Sequence, residues 1–304
     1  MSEENWERTL ARLCEASEAQ AGEYAIDWPA ALDREAWYLS PELLSIYGTP
    51  AFNALDEGAR KRMSFFEAVN FFSLNVHGEK SLLAGLAQRL YRGDRGPIID
   101  RSGPPSSARA LPGHDAYLHH FLEEENRHMG WFGGFCRRYA GGIYPDKKMA
   151  FLPAADPAEG EEDFLFYAKV MIFEEIVDAY NARCARDERL HPLARRIHAL
   201  HHRDEARHLA FGRRVARDLF DRHAPTWKAT DRERVQGYLL SYLEATWKEY
   251  YNPRAYADAG LQGDSLALRN QAFAHPAGAA RRSALAGPCL EFLRRHGMLA
   301  AEAA

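Results

Sequence analysis

Two strings of the same design stand 80 residues apart: Glu124-Glu125-Asn126-Arg127-His128 and Asp204-Glu205-Ala206-Arg207-His208. Each reads acid-Glu-x-Arg-His. Residues three apart on a helix share a face, so each string can turn one carboxylate and one imidazole toward the same point. Two such helices, with one Glu from each of two others, form the donor set that holds a pair of iron or manganese ions inside a four-helix bundle. Carboxylates and imidazoles with open coordination positions suit iron and O2.

Glu-x-x-His by itself carries little information. With 26 Glu and 13 His in 304 residues, about one occurrence arises by chance, and there are three. The third, Glu188/His191, lies in the polar string Arg186-Asp187-Glu188-Arg189-Leu190, and His191 directly precedes Pro192, which disfavours helix at that position. The other two lie within long helical patterns. Phe121, Leu122, Met129 and Phe132 surround Glu125, and Leu209 and Gly212 follow His208. A carboxylate on an apolar face is costly unless it is paired or binds metal; the ordinary alternatives are a solvated face or a buried hydrogen-bonded pair.

The remaining donors come from other helical stretches. Glu79 shares a face with Phe72, Val76, Leu83 and Leu86; Glu67, three turns earlier, is the fallback. Of the adjacent pair Glu174 and Glu175 only one can point inward, because neighbouring helix residues diverge by about 100°. Glu174, on the side of Val170, Met171 and Val177, is preferred, and Glu175 stays open. His201 stands one turn before Glu205, so His201, Glu205 and His208 form one stripe. The expected metal ligands are Glu79, Glu125, His128, Glu174, His201, Glu205 and His208. Asp204 and Glu124 are candidates to hold the outer nitrogens of His128 and His208, Arg127 and Arg207 to brace carboxylates, and His198 to support the site from one turn away. His77 is read as a supporting or ordinary buried histidine, His202 as pointing elsewhere, and His119 and His120 as ordinary.

The elements that must position these residues read as helices throughout. They are expected over 6–20, 56–91, 113–140, 157–186, 192–223 and from Thr230 to before Pro253. Residues 24–54 read as irregular or short helices, and 262–297 as short helices broken by Pro276 and Pro288. Gly93 ends the first long helix, and Gly141-Gly142 stop the next. Asp156-Pro157 fits an N-cap with proline at N1, and Thr230-x-x-Glu233 a capping box. Residues 93–112, rich in Pro, Gly and Ser, read as a long loop of the kind that closes over a site or stays disordered. The expectation is an all-α fold: one domain over 1–304, a ferritin-like four-helix bundle core at about 56–223, and additional peripheral helices over 224–304.

Composition narrows the class. An apolar fraction of 46% is ample for a core, and a net charge of −4 favours neither nucleic acid nor an anionic membrane. Cys14, Cys136, Cys184 and Cys289 are scattered without CxxC, as free thiols in a reducing cytoplasm would be. The acidic N-terminus lacks the apolar region of a signal peptide, and no run of about 18 apolar residues can span a membrane. The expected setting is cytoplasmic.

Over about 65–220 the sequence resembles the non-haem di-iron oxygenases typified by p-aminobenzoate N-oxygenase. The resemblance rests on the doubled Glu plus Glu-x-x-His pattern, on the extra His in His201-His202-Arg203-Asp204-Glu205-Ala206-Arg207-His208, and on the layout from Glu174-Glu175-Ile176-Val177 to Leu190-His191-Pro192. It implies that the seven residues above hold two irons, with manganese a possible substitute. It also implies a homodimer that uses O2 to oxidise the nitrogen of a small amine, as in a biosynthetic pathway. The 93–112 insertion departs from the pattern, and no residue stands out as an anchor for an aromatic carboxylate. With no flavin or nicotinamide fingerprint in the chain, electrons must come from an external reductase or ferredoxin.

Other readings keep part of this. The same site could carry out C–H hydroxylation, desaturation or C–C cleavage on an acyl or amino-acid substrate. A storage ferroxidase would need a bundle of only about half this length. For a radical-generating subunit, Tyr167 is the tyrosine to examine, with core packing the preferred reading of it.

Overall fold

The computed structural model describes residues 3–19, 24–90, 114–147 and 156–300. They form α1 (Glu3–Ala19), α2 (Pro50–Asn53), α3 (Glu57–Leu90), α4 (His114–Tyr139), α5 (Glu161–Ala185), α6 (Pro192–His223), α7 (Ala229–Glu249), α8 (Pro253–Asp258), α9 (Ser265–Ala274) and α10 (Pro276–Arg295). No strand occurs among the described residues; Trp37 and Leu190 make one isolated bridge. The fold is all-α. Gly93 and the expected loop over 93–112 lie outside the described residues. No helix among the described residues is long and apolar enough to cross a membrane.

The four long helices pack as two pairs, α3 with α4 and α5 with α6, and the pairs meet through α4–α6 and α3–α5 contacts. Along α3 the buried side includes Phe65, Val69, Phe72, Glu79 and Leu86, while Val76 and Leu83 are half-buried. A Cβ on Gly78 would overlap the Phe173 ring, and one on Gly85 the Phe166 ring. The two glycines let α5 aromatics seat directly against α3, one of them beside Glu79. Around this core, Trp6 of α1 is buried and stacks on Phe211 of α6 at 6.0 Å between centroids. Hydrogen bonds tie the C-terminal helices to α3: Asn252 Nδ2 donates to Asn70 Oδ1 at 2.7 Å, and Asn70 Nδ2 to the Glu249 carbonyl at 3.0 Å.

Helix ends follow local chemistry. His191 is extended (φ −51°, ψ 133°) because Pro192 follows it, and its Nδ1 accepts the Leu193 N–H at 3.2 Å, so it caps α6. Gly141 turns left-handed at φ 75° and the Gly142 N–H bonds the Cys136 carbonyl at 3.1 Å, which ends α4.

Three expectations about helix ends are corrected. The α5 helix starts at Glu161, not at Asp156-Pro157, because Gly160 at φ 75° interrupts the helical path and becomes the N-cap. The α7 helix starts one residue early, so Thr230 falls inside its first turn, and Asp231, rather than Glu233, accepts the Lys228 N–H at 3.0 Å. Pro288 does not break α10. An internal proline costs about 3 kcal/mol, but the buried face of Ala286, Cys289 and Leu293 spans it and holds the helix on the core.

Gly160 offers a direct check of this packing. A Cβ there would meet the His223 ring, on a backbone that L side chains rarely adopt. Gly160→Ala is expected to cost roughly 1–3 kcal/mol, seen as a lower midpoint in urea unfolding, without loss of helical circular dichroism. An unchanged midpoint would contradict the tight α5–α6 junction.

Candidate metal centre

All seven expected ligands come together in the bundle interior. Glu79 enters from α3, Glu125 and His128 from α4, Glu174 from α5, and His201, Glu205 and His208 from α6. None exceeds 2% exposure. Three overlapping groups have donor atoms within 4.8 Å of one another: Glu79/His128/His201, Glu125/His128/Glu205 and Glu174/His201/Glu205.

His201 Nε2 lies 2.9 Å from Glu205 Oε1 and 3.6 Å from Glu79 Oε1. His208 Nδ1 lies 2.8 Å from Glu125 Oε1 and 3.1 Å from Glu205 Oε1. His128 Nδ1 lies 3.5 Å from Glu125 Oε2 and 3.7 Å from Glu205 Oε1. Glu205 therefore sits between the three imidazoles.

The outer ring nitrogens are held from behind. His128 Nε2 meets Asp204 Oδ2 at 3.1 Å, and His208 Nε2 meets Glu124 Oε2 at 2.8 Å. A single guanidinium joins the two carboxylates, since Arg207 Nη2 donates to Asp204 Oδ1 at 2.7 Å and to Glu124 Oε1 at 2.5 Å. Tyr24, from the irregular stretch before α2, adds its hydroxyl to Asp204 Oδ1 at 2.9 Å. Arg127 does not brace this network; it pairs with Glu123 at 2.9 Å and lies over the Tyr24 ring. Phe121 covers His208 with ring centroids 3.8 Å apart.

His201 is held differently. Its Nδ1 is 2.6 Å from Asn181 Nδ2, while Asn181 Oδ1 is 2.8 Å from His198 Nδ1. One carboxamide thus bridges the two imidazoles. Asn181 escaped the sequence reading, although its spacing of two turns from Glu174 places it on the same stripe of α5. Tyr24 had no such signal, because its stretch is irregular and distant in sequence.

The alternatives within the sequence also separate. Glu175 pairs with Arg213 and faces away from the cluster. Glu67 accepts the Ser45 N–H at 2.8 Å and its hydroxyl as well, within a different buried network. His77 bonds the Tyr144 carbonyl at 2.8 Å, His202 meets Asp178 at 2.5 Å, and His120 lies 3.6 Å from Glu18. The Tyr167 ring packs beside Phe166 and is buried.

The donor set fits cations. Both carboxylate oxygens of Glu79, Glu125 and Glu174 lack a hydrogen-bond partner among the described residues, as do Glu205 Oε2, His128 Nδ1 and His201 Nε2. Buried polar atoms are seldom left this way without cause. Among themselves the groups cannot all ionise. Burial, then the charges of Glu125 and Glu205, pushes Glu79 well above the usual carboxylate range, and burial, then Glu205 and Glu125, does the same to Glu174. Burial also acts to raise Glu125 and Glu205, but His208 outweighs it and both end lower. His128 rises to about 9, since the Asp204 and Glu125 hydrogen bonds overcome the cost of burial. Two divalent cations would let four carboxylates ionise together with no net charge.

Beside the cluster lies a cavity of about 520 Å³. Glu174 reaches its wall, together with Gly78, Phe173, Val170, Lys169 and Tyr242.

A family profile for P-aminobenzoate N-oxygenase AurF matches residues 3–297, nearly the whole chain. The chain belongs to the P-aminobenzoate N-oxygenase AurF family. A search of curated proteins finds no significant match. AurF-family membership makes this an oxygenase-type protein, and the match extends well beyond the 65–220 region that carries the ligand strings.

Two consequences can be measured. Asn181→Leu removes the bridge that fixes His201, and is expected to weaken ferrous binding about 10- to 100-fold with helical content unchanged. Equal affinity would show that Asn181 does not orient His201. Glu67 is pushed up to about 7, burial outweighing its Ser45 hydrogen bonds. A carboxyl raised in the fold costs nothing below its ordinary range and destabilises the fold as pH rises through that range to about 7. Glu67→Gln should therefore gain roughly 3 kcal/mol over wild type between pH 4 and pH 8; parallel pH–stability curves would contradict this.

Proposed function

We propose that this chain is a di-iron N-oxygenase that uses O2 to oxidise the amine nitrogen of a small molecule. The observation that carries the reading is the buried set of four carboxylates and three imidazoles whose inward atoms lack protein partners. Family membership supports the same reading. Glu79, Glu125, His128, Glu174, His201, Glu205 and His208 would hold two irons, or manganese in their place. When bound, the metal pair supplies the redox chemistry with O2 that side chains lack.

The chain's own residues supply orientation and dryness. Asp204 and Glu124 accept the Nε2–H protons of His128 and His208, which leaves each Nδ1 lone pair facing inward. Asn181 would turn its carboxamide oxygen to His201 Nδ1–H and its NH2 to His198, leaving His201 Nε2 as the inward donor. The orientation of such an amide follows from its hydrogen-bond partners. Phe121 and Phe132 pack on His208 and His201 and keep water from them.

The cavity on which Glu174 opens favours an organic substrate over iron storage, since it brings a bound molecule beside a ligand. In the net reaction one oxygen atom goes to nitrogen and the other leaves as water. An external reductase or ferredoxin provides the electrons. We take the protein to act as a cytoplasmic homodimer in a biosynthetic pathway.

The test is turnover of an arylamine panel under 18O2 with ferrous iron and a chemical reductant, read by mass spectrometry. Wild type should give label on nitrogen, whereas Glu205→Ala and His208→Ala should lose iron and product together while the bundle remains helical. Full activity in both variants would remove the site assignment. Label on carbon alone would replace N-oxidation with hydroxylation.

A further inference from the structure

The cavity beside Glu174 contains a cation that the metal chemistry does not use. Lys169 lines it from α5, five residues before Glu174. Five helical residues rise about 7.5 Å, comparable to a benzene ring with a substituent at each end. The other charged groups on the wall are accounted for. Lys147 lies 3.6 Å from Glu249, and Asp146 lies beside them on the exposed rim. The half-buried Lys169 ammonium has no carboxylate partner among the described residues. It rests between two rings of α7, with Nζ 5.6 Å from the Tyr238 centroid and 6.0 Å from that of Tyr242.

Tyrosine faces hold a cation in place without neutralising it. Burial, then the like charge of Arg89, lowers the Lys169 pKa. An anion in the cavity would relieve both effects. The opposite wall is apolar, with Phe166, Phe173, Val170 and Leu82 suited to a flat ring. The arrangement has the features of a small-molecule site: apolar walls with a few placed polar groups.

We propose that Lys169 binds an acidic group of the substrate and so selects amines that carry a carboxylate over their neutral counterparts. This rests on the oxygenase reading for the amine, but not for the charge preference, which is a property of binding alone. Lys169 acts on specificity: it places the molecule between its ammonium and Glu174, and it touches no metal ligand.

The experiment measures equilibrium dialysis of paired probes, 4-aminobenzoate with 4-aminobenzamide and 3-(4-aminophenyl)propanoate with its amide. The protein is the full-length, iron-loaded chain, kept anaerobic. Wild type should prefer the acid of a pair by about tenfold, the factor that one charge-assisted hydrogen bond contributes. Lys169→Met should abolish the preference by weakening the acids while leaving the amides unchanged, and Lys169→Arg should retain it. Lys169 is half-buried at the cavity wall, so helical content and iron count should not change in either variant. Equal binding of acid and amide by wild type, failure of every acid to bind, or an unaltered preference in Lys169→Met would overturn the proposal. Failure to hold two irons would instead sink the di-iron reading, and the dialysis result would stand apart from it.

Discussion

Four carboxylates face one another in a chamber that water does not reach, and the surrounding structure answers to that. Isolated buried carboxylates are among the most expensive groups a fold can contain. Here the repulsion is spread over three imidazoles, with Glu205 between them. The strain is also offset from outside by a second ring of groups: Asp204 and Glu124 behind the histidines, Arg207 joining those two acids, and Tyr24 on Asp204. Removing one member would leave another buried charge unpaired, so the ring behaves as a unit. Helix packing serves the same end, because Gly78 lets Phe173 seat against α3 and brings Glu79 and Glu174 into one chamber.

The centre is not symmetric. His128 and His208 present Nδ1 inward and are fixed by carboxylates, whereas His201 presents Nε2 and is fixed by a neutral carboxamide. A carboxylate behind an imidazole raises its basicity; an amide does so less. Two histidines are therefore held as strong donors and the third as a weaker one. The weaker donor shares the chamber with Glu174, the ligand that also faces the cavity. Charge is thus concentrated away from the side where a substrate arrives.

Much of this was legible in the sequence, for identifiable reasons. The paired acid-Glu-x-Arg-His strings encode both the inward donors and the acids behind them, because helical spacing puts residue 204 of α6 opposite His128 and residue 124 of α4 opposite His208. The separation of Glu174 from Glu175 followed from the 100° step of the helix. Helix ends were less legible. Gly160 starts α5 through a positive φ that a nearby Asp-Pro pair obscured, and Pro288 sits within a helix because tertiary packing overrides its local cost. Tyr24 and Lys169 could not be read at all: one is brought to the site by an irregular segment, the other matters through a cavity that only the packed helices create.

The central claim is that the chamber holds exactly as much positive charge as its carboxylates require. Anaerobic titration of the purified full chain with ferrous iron, followed by near-infrared circular dichroism and by iron analysis after gel filtration, tests it most directly. The account predicts saturation at about two irons per chain, with ligand-field bands appearing up to that point and no further. No retained iron, or continued uptake to many irons per chain, would contradict it.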